Sequence, residues 1–234
     1  MADTIRLGKI VVAMTRKDIK HVHLSVHPPD GRVSLVAPTN TRTEVARAYV
    51  ISKLGWIRAQ QAKLRGQARE PRRRFISRES HYVWGQRYLL LVVERDAKPA
   101  VRLGHRQITL SVRSGSSRAK REEVMHAWTK ERLHRALPAL IRKWEPKLGV
   151  EVAGYFLQRM RTKWGGCNHR ARTIRLNTEL AKKPKDLLEY VVVHEMLHLI
   201  EPRHSERFFA LMARHYPSWM AARMELNELP LADF

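Results

Sequence analysis

Two histidines and a glutamate form the motif in this sequence that most plainly could do chemistry. Residues 194–198 read His-Glu-Met-Leu-His. On a helix, a spacing of four residues is about 1.1 turns, so His194 and His198 lie on one face and can coordinate one metal ion. Glu195 lies beside that ion as a general base, where it can take a proton from metal-bound water and pass it to a leaving group. The motif therefore predicts a helix-borne zinc hydrolase.

A third metal ligand is expected shortly after the motif. Pro202 disfavours helical geometry at Glu201, so the chain can turn back, and His204 follows six residues after His198. Six residues span up to ~20 Å when extended, so a bent connection reaches the ion easily. Three protein ligands leave one position for water, as in catalytic zinc sites. We therefore predict that His194, His198 and His204 bind zinc.

Two other side chains compete for the third ligand position. Glu201 lies three residues after His198, and His215 lies eleven residues after His204. Residues 205–214 have a helical pattern, which places His204 at the start of a helix and beside the preceding turn. We favour His204 for this reason. Glu201 is then a hydrogen-bond acceptor for one of the ligands, and His215 is a polar residue without a predicted role.

Helices must position these residues in the second half of the chain. Apolar residues occupy positions 187, 188 and 190–193 without a helix breaker, so the motif lies inside a buried helix that starts after Pro184 and Asp186. Another helical pattern starts at Arg118, and Pro138 is expected to kink that helix. Two strands are expected between these helices. They cover residues 150–157 and 173–176.

The first half of the chain has the alternating apolar pattern of strands. The expected strands cover residues 10–14, 22–26, 33–37, 82–94 and 100–112. Thr41 and Glu44 form a capping box for an amphipathic helix that ends near Gly66 and places Trp56 in the core. A loop at residues 114–117 marks a boundary.

The predicted fold class is α+β, with two domains. Residues 1–115 form a β-rich N-terminal region with one amphipathic helix, and residues 116–234 form the catalytic domain with the active-site helix. The chain is 44% apolar and 29% charged, which excludes wholesale disorder. Because no apolar run is long enough for a transmembrane helix or a signal peptide, we expect a cytoplasmic protein. The single cysteine, Cys167, excludes an internal disulfide.

The net charge is the most unusual number in the composition. Forty-five Lys and Arg against 22 Asp and Glu give +23, and the sequence pI is about 11.0. Basic residues cluster over 69–78 and 159–175. A surplus of this size attracts polyanions, so binding to nucleic acid is one hypothesis and binding to an anionic lipid surface is a minor one. A merely solvated basic surface is the alternative to both.

Further residues resemble a known family, the YgjP-like metallopeptidases. The resemblance rests on residues 163–167 (Lys-Trp-Gly-Gly-Cys), 174–177 (Ile-Arg-Leu-Asn) and 190–198, then on His204-Ser205 and Phe208. It is close over the C-terminal half and fainter over the N-terminal half. It implies a gluzincin-like or minimal zincin-like domain, with zinc held by the helix histidines and a third histidine downstream. The short spacing to that histidine also resembles WLM and SprT-like proteases, which act on proteins crosslinked to DNA.

One segment departs from the family pattern. The family usually has Arg-Trp-Gly-Ser-Cys-Ser, whereas Lys163, Gly166 and Asn168 replace the arginine and both serines here. If the replaced groups position the substrate in other members of the family, the substrate specificity of this chain differs from theirs. Cys167 is interpreted as a packing residue and not as a nucleophile or a zinc ligand, since the sequence contains no base at a spacing typical of a catalytic cysteine. Residues 173–176 have the character of an exposed edge strand, which in zincin-like folds accepts an extended peptide by main-chain pairing.

The leading hypothesis is a zinc metalloendopeptidase that acts on a protein or peptide through zinc-activated water and Glu195. The alternative is a nucleic-acid-binding module with a structural or vestigial zinc site, which would not need a carboxylate beside the ion. A combined hypothesis is a protease recruited to DNA through its basic surface, which would explain both the motif and the charge. Tyr216 and Arg161 are candidates for stabilising the oxyanion. The oligomeric state is not predicted.

Overall fold

The computed structural model describes residues 3–27, 31–66, 69–70, 73–160, 163–228 and 231–232. The backbone divides into two units, Met1–Glu70 and Pro71–Ala232. The sheet of residues 80–112 and the helix that follows it belong to the same unit. A catalytic domain that begins near residue 116 stays a prediction. The α+β class is confirmed.

The first unit consists of a four-stranded sheet and two helices. The strands are β1 (Asp3–Leu7), β2 (Ile10–Lys17), β3 (His23–His27) and β4 (Arg32–Pro38), in the order β1-β2-β4-β3. The alternation buries Ile10, Val12, Met14, Val33, Leu35 and Ala37, which confirms the predicted pattern. The helices are α1 (Thr43–Ser52) and α2 (Leu54–Gly66), and a short β5 (Arg69–Glu70) follows.

The single helix predicted after Thr41 is wrong, because the chain turns at Lys53. The Lys53 amide donates to the carbonyl of Val50 at 3.1 Å, which ends α1 before α2 begins. The buried face carries Ala46, Val50 and Ile57. Trp56 lies about 100° around the helix from Ile57 and is 43% exposed, so its predicted place in the core is wrong.

The second unit begins with a sheet in the order β6-β7-β9-β8. Its strands are β6 (Ser80–Val83), β7 (Gln86–Glu94), β8 (Ala100–Leu103) and β9 (Gln107–Val112). The two long strands predicted here are therefore two hairpins. In the first, Trp84 and Gly85 turn the chain with φ of 50° and 80°, and their amides donate to the carbonyls of Ala181 and Lys182.

Helix α3 (Arg118–Leu148) belongs to the second unit and is followed by the sheet that contacts Glu195. Ser117 caps its start, and the helix continues through Pro138, where a kink is predicted. The sheet that follows contains β10 (Gly154–Gln158), β11 (Gly165–Asn168) and β12 (Thr173–Asn177), in the order β10-β12-β11. Residues 173–176 are therefore in the central strand, and their predicted place at the edge is wrong. They pair in parallel with β10 and antiparallel with β11, which is an edge strand instead.

A 3₁₀ helix (Thr178–Lys182) connects this sheet to the last helices, which enclose the core of the second unit. These are α4 (Lys185–Leu197), α5 (Glu206–His215) and α6 (Trp219–Glu228), followed by β13 (Leu231–Ala232). Apolar residues of α3, β12, α4, α5 and α6 form one buried cluster around α4. None of the described helices has the length and apolar content to cross a lipid bilayer.

Candidate metal centre

The end of α4 and the start of α5 bring the histidines together. Helix α4 ends at Leu197, and His198 is its C-cap residue. The chain then turns tightly, with the Glu201 amide donating to the Leu197 carbonyl at 2.9 Å. Ser205 caps α5 by accepting the Phe208 amide at 3.3 Å, so His204 lies immediately before the new helix. Pro202 lies in this turn, as the sequence indicates.

The three histidines form a compact group that could hold a metal ion. One nitrogen from each of His194, His198 and His204 lies within 4.8 Å of the other two. The Nε2 atoms of His194 and His204 are 3.0 Å apart. Within the described ranges, no other group of three or more His, Cys, Asp or Glu side chains is arranged in this way. His215, the last residue of α5, is not part of the group.

Phe208 lies against all three imidazole rings. It is fully buried and stacks on His198 with the ring centroids 4.6 Å apart. It meets His194 and His204 edge to face at 5.0 and 4.9 Å. An apolar residue in this place limits the rotamers of all three rings. Its spacing from His204 was visible in the sequence, but its contact with the α4 histidines was not.

Burial lowers the pKa of both His194 and His198, which favours the neutral imidazole, the form that binds metal. The Nδ1 of His198 donates to the main-chain carbonyl of Glu201 at 3.0 Å, which leaves Nε2 with its lone pair. Glu201 is thus an acceptor through its carbonyl. Burial, and then the neighbouring His198 and His204, lower the pKa of His194 to about 3. The guanidinium of Arg223 on α6 contributes to the same lowering.

Glu195 is buried next to the group of histidines. Its side chain is 5% exposed, and burial raises its pKa to about 8, although the Lys163 ammonium acts in the opposite direction. The carboxylate packs against Gly165, the first residue of β11. A Cβ atom at Gly165 would lie 2.7 Å from Cγ and 2.8 Å from Cδ of Glu195. Only glycine at this position therefore allows the observed placement of the carboxylate.

Replacing Gly165 by Ala should move Glu195 and lower any activity that depends on it by ~10²-fold, because a displacement of about 1 Å has a cost of this size. Metal content should stay the same. Turnover and metal content of the purified variant check this. Gly154→Ala, on the neighbouring β10, is the matched control, since its Cβ would make only an ordinary contact at 4.0 Å. Equal turnover of Gly165→Ala and wild type would contradict the steric argument.

Asn177 fixes the segment that leads into β11. It is 2% exposed, and its Nδ2 donates to the carbonyls of Met160 and Lys163 at 2.7 and 2.8 Å. Its main-chain amide donates to the carbonyl of Trp164 at 2.9 Å. These contacts place Gly165 against Glu195. The sequence contained no signal for this role beyond the Ile-Arg-Leu-Asn run.

Cys167 and Tyr216 lie outside the histidine group. Burial, and then the nearby Glu195 charge, raise the pKa of the Cys167 thiol to about 11, so the thiol is protonated and unreactive at neutral pH. The Tyr216 hydroxyl donates to the carbonyl of Asp186 at 3.1 Å, at the opposite end of α4 from His198. Arg161 lies outside the described residues.

Comparison with known proteins identifies the family of this chain. A family model described as the YgjP-like metallopeptidase domain matches residues 20–229, about nine-tenths of the chain. No curated protein sequence matches the chain. Among solved structures, the chain is similar to the metallopeptidase zymogen jannalysin of Methanocaldococcus jannaschii, with 17% sequence identity and a TM-score of 0.34. That match covers 38% of this chain and 91% of the other.

Proposed function

The chain belongs to the YgjP-like metallopeptidase family, and on that premise we propose that it is a zinc-dependent endopeptidase with Glu195 as its general base. The observation that carries the proposal is the convergence of three imidazoles beside one buried glutamate side chain. We assign His194, His198 and His204 as the metal ligands. A purely structural site would have no use for a buried carboxylate next to its ligands.

The donor set fits zinc. Imidazole nitrogens suit Zn²⁺, and three of them are the protein ligands of one known class of catalytic zinc site. The Nε2 atoms of His194 and His204, 3.0 Å apart, have the proximity that two ligands of one ion require. When bound, the ion would supply a Lewis acid that activates water and polarises a carbonyl group.

Glu195 and β11 supply the rest of the chemistry from the chain itself. The Glu195 carboxylate accepts the proton of the attacking water and returns it to the leaving amine. Among the described strands, β11 lies at the edge of its sheet and begins beside this carboxylate, so an extended peptide that pairs with β11 would bring one of its peptide bonds next to Glu195. In this proposal β11 has the role that we predicted for residues 173–176.

Removal of the metal tests the proposed function. The purified protein is incubated with an unfolded substrate such as β-casein, first loaded with Zn²⁺, then after chelation and dialysis, and finally with Zn²⁺ restored. We expect cleavage to disappear on chelation and to return with zinc, since the ion is needed for water activation. Mass spectrometry of the products measures the cleavage. Cleavage that persists in protein with no measurable metal would contradict a catalytic ion.

Recruitment to DNA is a second component of the proposal and is supported by the net charge of +23. If a basic surface binds duplex DNA, log K should fall with log salt with a slope of about −0.9 for each phosphate contacted. Fluorescence anisotropy of a labelled duplex between low and moderate salt measures this slope. A flat response would remove DNA recruitment and leave the peptidase proposal intact.

A further inference from the structure

One row of residues crosses the outer face of the sheet that contains β11. Phe156 of β10 pairs with Arg175 of β12, and Arg175 pairs with Gly166 of β11. Paired residues place their side chains on the same face of a sheet, so these three lie side by side. Gly165 and Ile174 belong to the opposite face, where Gly165 touches Glu195 and Ile174 is buried.

The end of this row at the free edge is open. A Cβ atom at Gly166 would meet nothing within 4 Å, so there is space on this face beside β11. A peptide paired with β11 would place one side chain opposite Gly166 on this same face. Since Gly166 has no side chain, the next group that the peptide side chain meets across the sheet is Arg175. Adjacent strands lie about 4.8 Å apart, a distance that the long arginine side chain can cover.

Arg175 is suited to bind a ligand in this place. It is exposed, and within the described part of the chain it makes no side-chain hydrogen bond or ion pair. The outer face of the described sheet contains no carboxylate that could neutralise it. Phe156, on the far side of Arg175 in the row, is 55% exposed and uncharged. A guanidinium binds a carboxylate through two parallel hydrogen bonds, which makes the pairing selective as well as favourable.

We propose that Gly166 and Arg175 form a subsite for an acidic side chain of the peptide substrate, so that the enzyme prefers Glu or Asp at one fixed position near the scissile bond. This inference rests on the proposed peptidase function and on pairing of the substrate with β11. The charges of Lys163 and Arg223 near Glu195 and His194 make the approach to the site cationic as well. The net charge of +23 then attracts acidic peptides to the enzyme.

Mapping of cleavage sites tests the subsite. A peptide library is digested by the zinc-loaded wild-type protein, by Arg175→Glu and by Arg170→Glu, and the products are sequenced by mass spectrometry. Arg170 lies exposed in the turn between β11 and β12, so Arg170→Glu has the same change in charge away from the row. We expect Glu or Asp to be enriched about tenfold at one position for wild type and Arg170→Glu, as for a charged hydrogen bond. Arg175→Glu should favour Lys or Arg at that position and leave the others unchanged.

Binding of an uncleaved peptide provides a second measurement. The catalytically impaired Glu195→Gln protein is titrated with fluorescent peptides that differ only by Glu or Gln at the selected position. The Glu peptide should bind about tenfold more tightly, and Arg175→Glu in the same background should reverse the order. Cleavage without an acidic preference, or equal preferences in wild type and Arg175→Glu, would overturn the subsite and leave the peptidase function standing. Absence of any Glu195-dependent cleavage would overturn the proposed function, and the subsite with it.

Discussion

Replacement of Glu195 by Gln should lower peptidase activity by about 10²- to 10⁴-fold, the usual contribution of general acid–base catalysis. Gln has nearly the shape of Glu and fits the same space beside Gly165, so the position of β11 should not change. The amide cannot accept the proton of the attacking water. Because Glu195 is not among the proposed ligands, the zinc content should stay equal to that of wild type.

Turnover of a quenched fluorescent peptide and zinc content by mass spectrometry measure these two expectations on the same sample. Glu225→Gln is the matched control, since Glu225 is an exposed residue of α6 and the chemical substitution is the same. A Glu195→Gln protein with full activity would refute the enzyme hypothesis. The chain would then be better explained as a nucleic-acid-binding module with a structural or vestigial zinc site.

The histidine group could be predicted from the sequence because each of its determinants is local. A spacing of four residues places His194 and His198 on one face of any helix. Pro202 then disfavours further helix, so the chain turns within a few residues and brings His204 back toward the end of α4. The apolar residues at positions 187, 188 and 190–193 give the helix its buried position. None of these inferences needs knowledge of contacts between distant segments.

The surroundings of Glu195 could not be predicted, since they depend on such contacts. The Gly-Gly-Cys-Asn residues of β11 have little intrinsic preference for a strand, and β11 forms because β12 supplies its hydrogen-bonding partner. Gly165 and Glu195 are thirty residues apart, and no periodic pattern connects them. The error about residues 173–176 has the same origin. A central strand of a three-stranded sheet is identified only when both neighbours are known.

The helices of the first unit show that helical spacing alone does not predict which face of a segment is buried. Residues 45–62 contain one set of small and apolar residues at helical spacing, with Trp56 in it, and Ala46, Val50 and Ile57 form a second set on a different face. The structure buries the second set, because it packs against the sheet of the first unit. Two sets of apolar residues at helical spacing cannot be ranked by their pattern alone, since the packing against the sheet decides which set is buried.

Replacement of His204 by Ala should abolish tight zinc binding, and the peptidase activity with it. Loss of a residue that only supports a ligand already lowers metal affinity by about 10- to 100-fold, so loss of a ligand should exceed this range. His204 is exposed and precedes the N-cap of α5, so the fold without metal should be little affected. Zinc should therefore raise the melting temperature of wild type, because a ligand that binds only the folded state stabilises it, and should not raise that of His204→Ala.

His215→Ala is the control that decides between the two histidines considered as the third ligand. Thermal unfolding of wild type and both variants is measured with and without Zn²⁺, and zinc affinity is measured by competition with a chromogenic chelator. His215→Ala should retain the zinc-dependent rise in melting temperature, since His215 lies at the far end of α5 from His204 and is outside the histidine group. If His204→Ala retains the rise and His215→Ala loses it, the ligand assignment is wrong. The turn after His198 would then have to open, because in the present arrangement His204, and not His215, lies close enough to share an ion with His194 and His198.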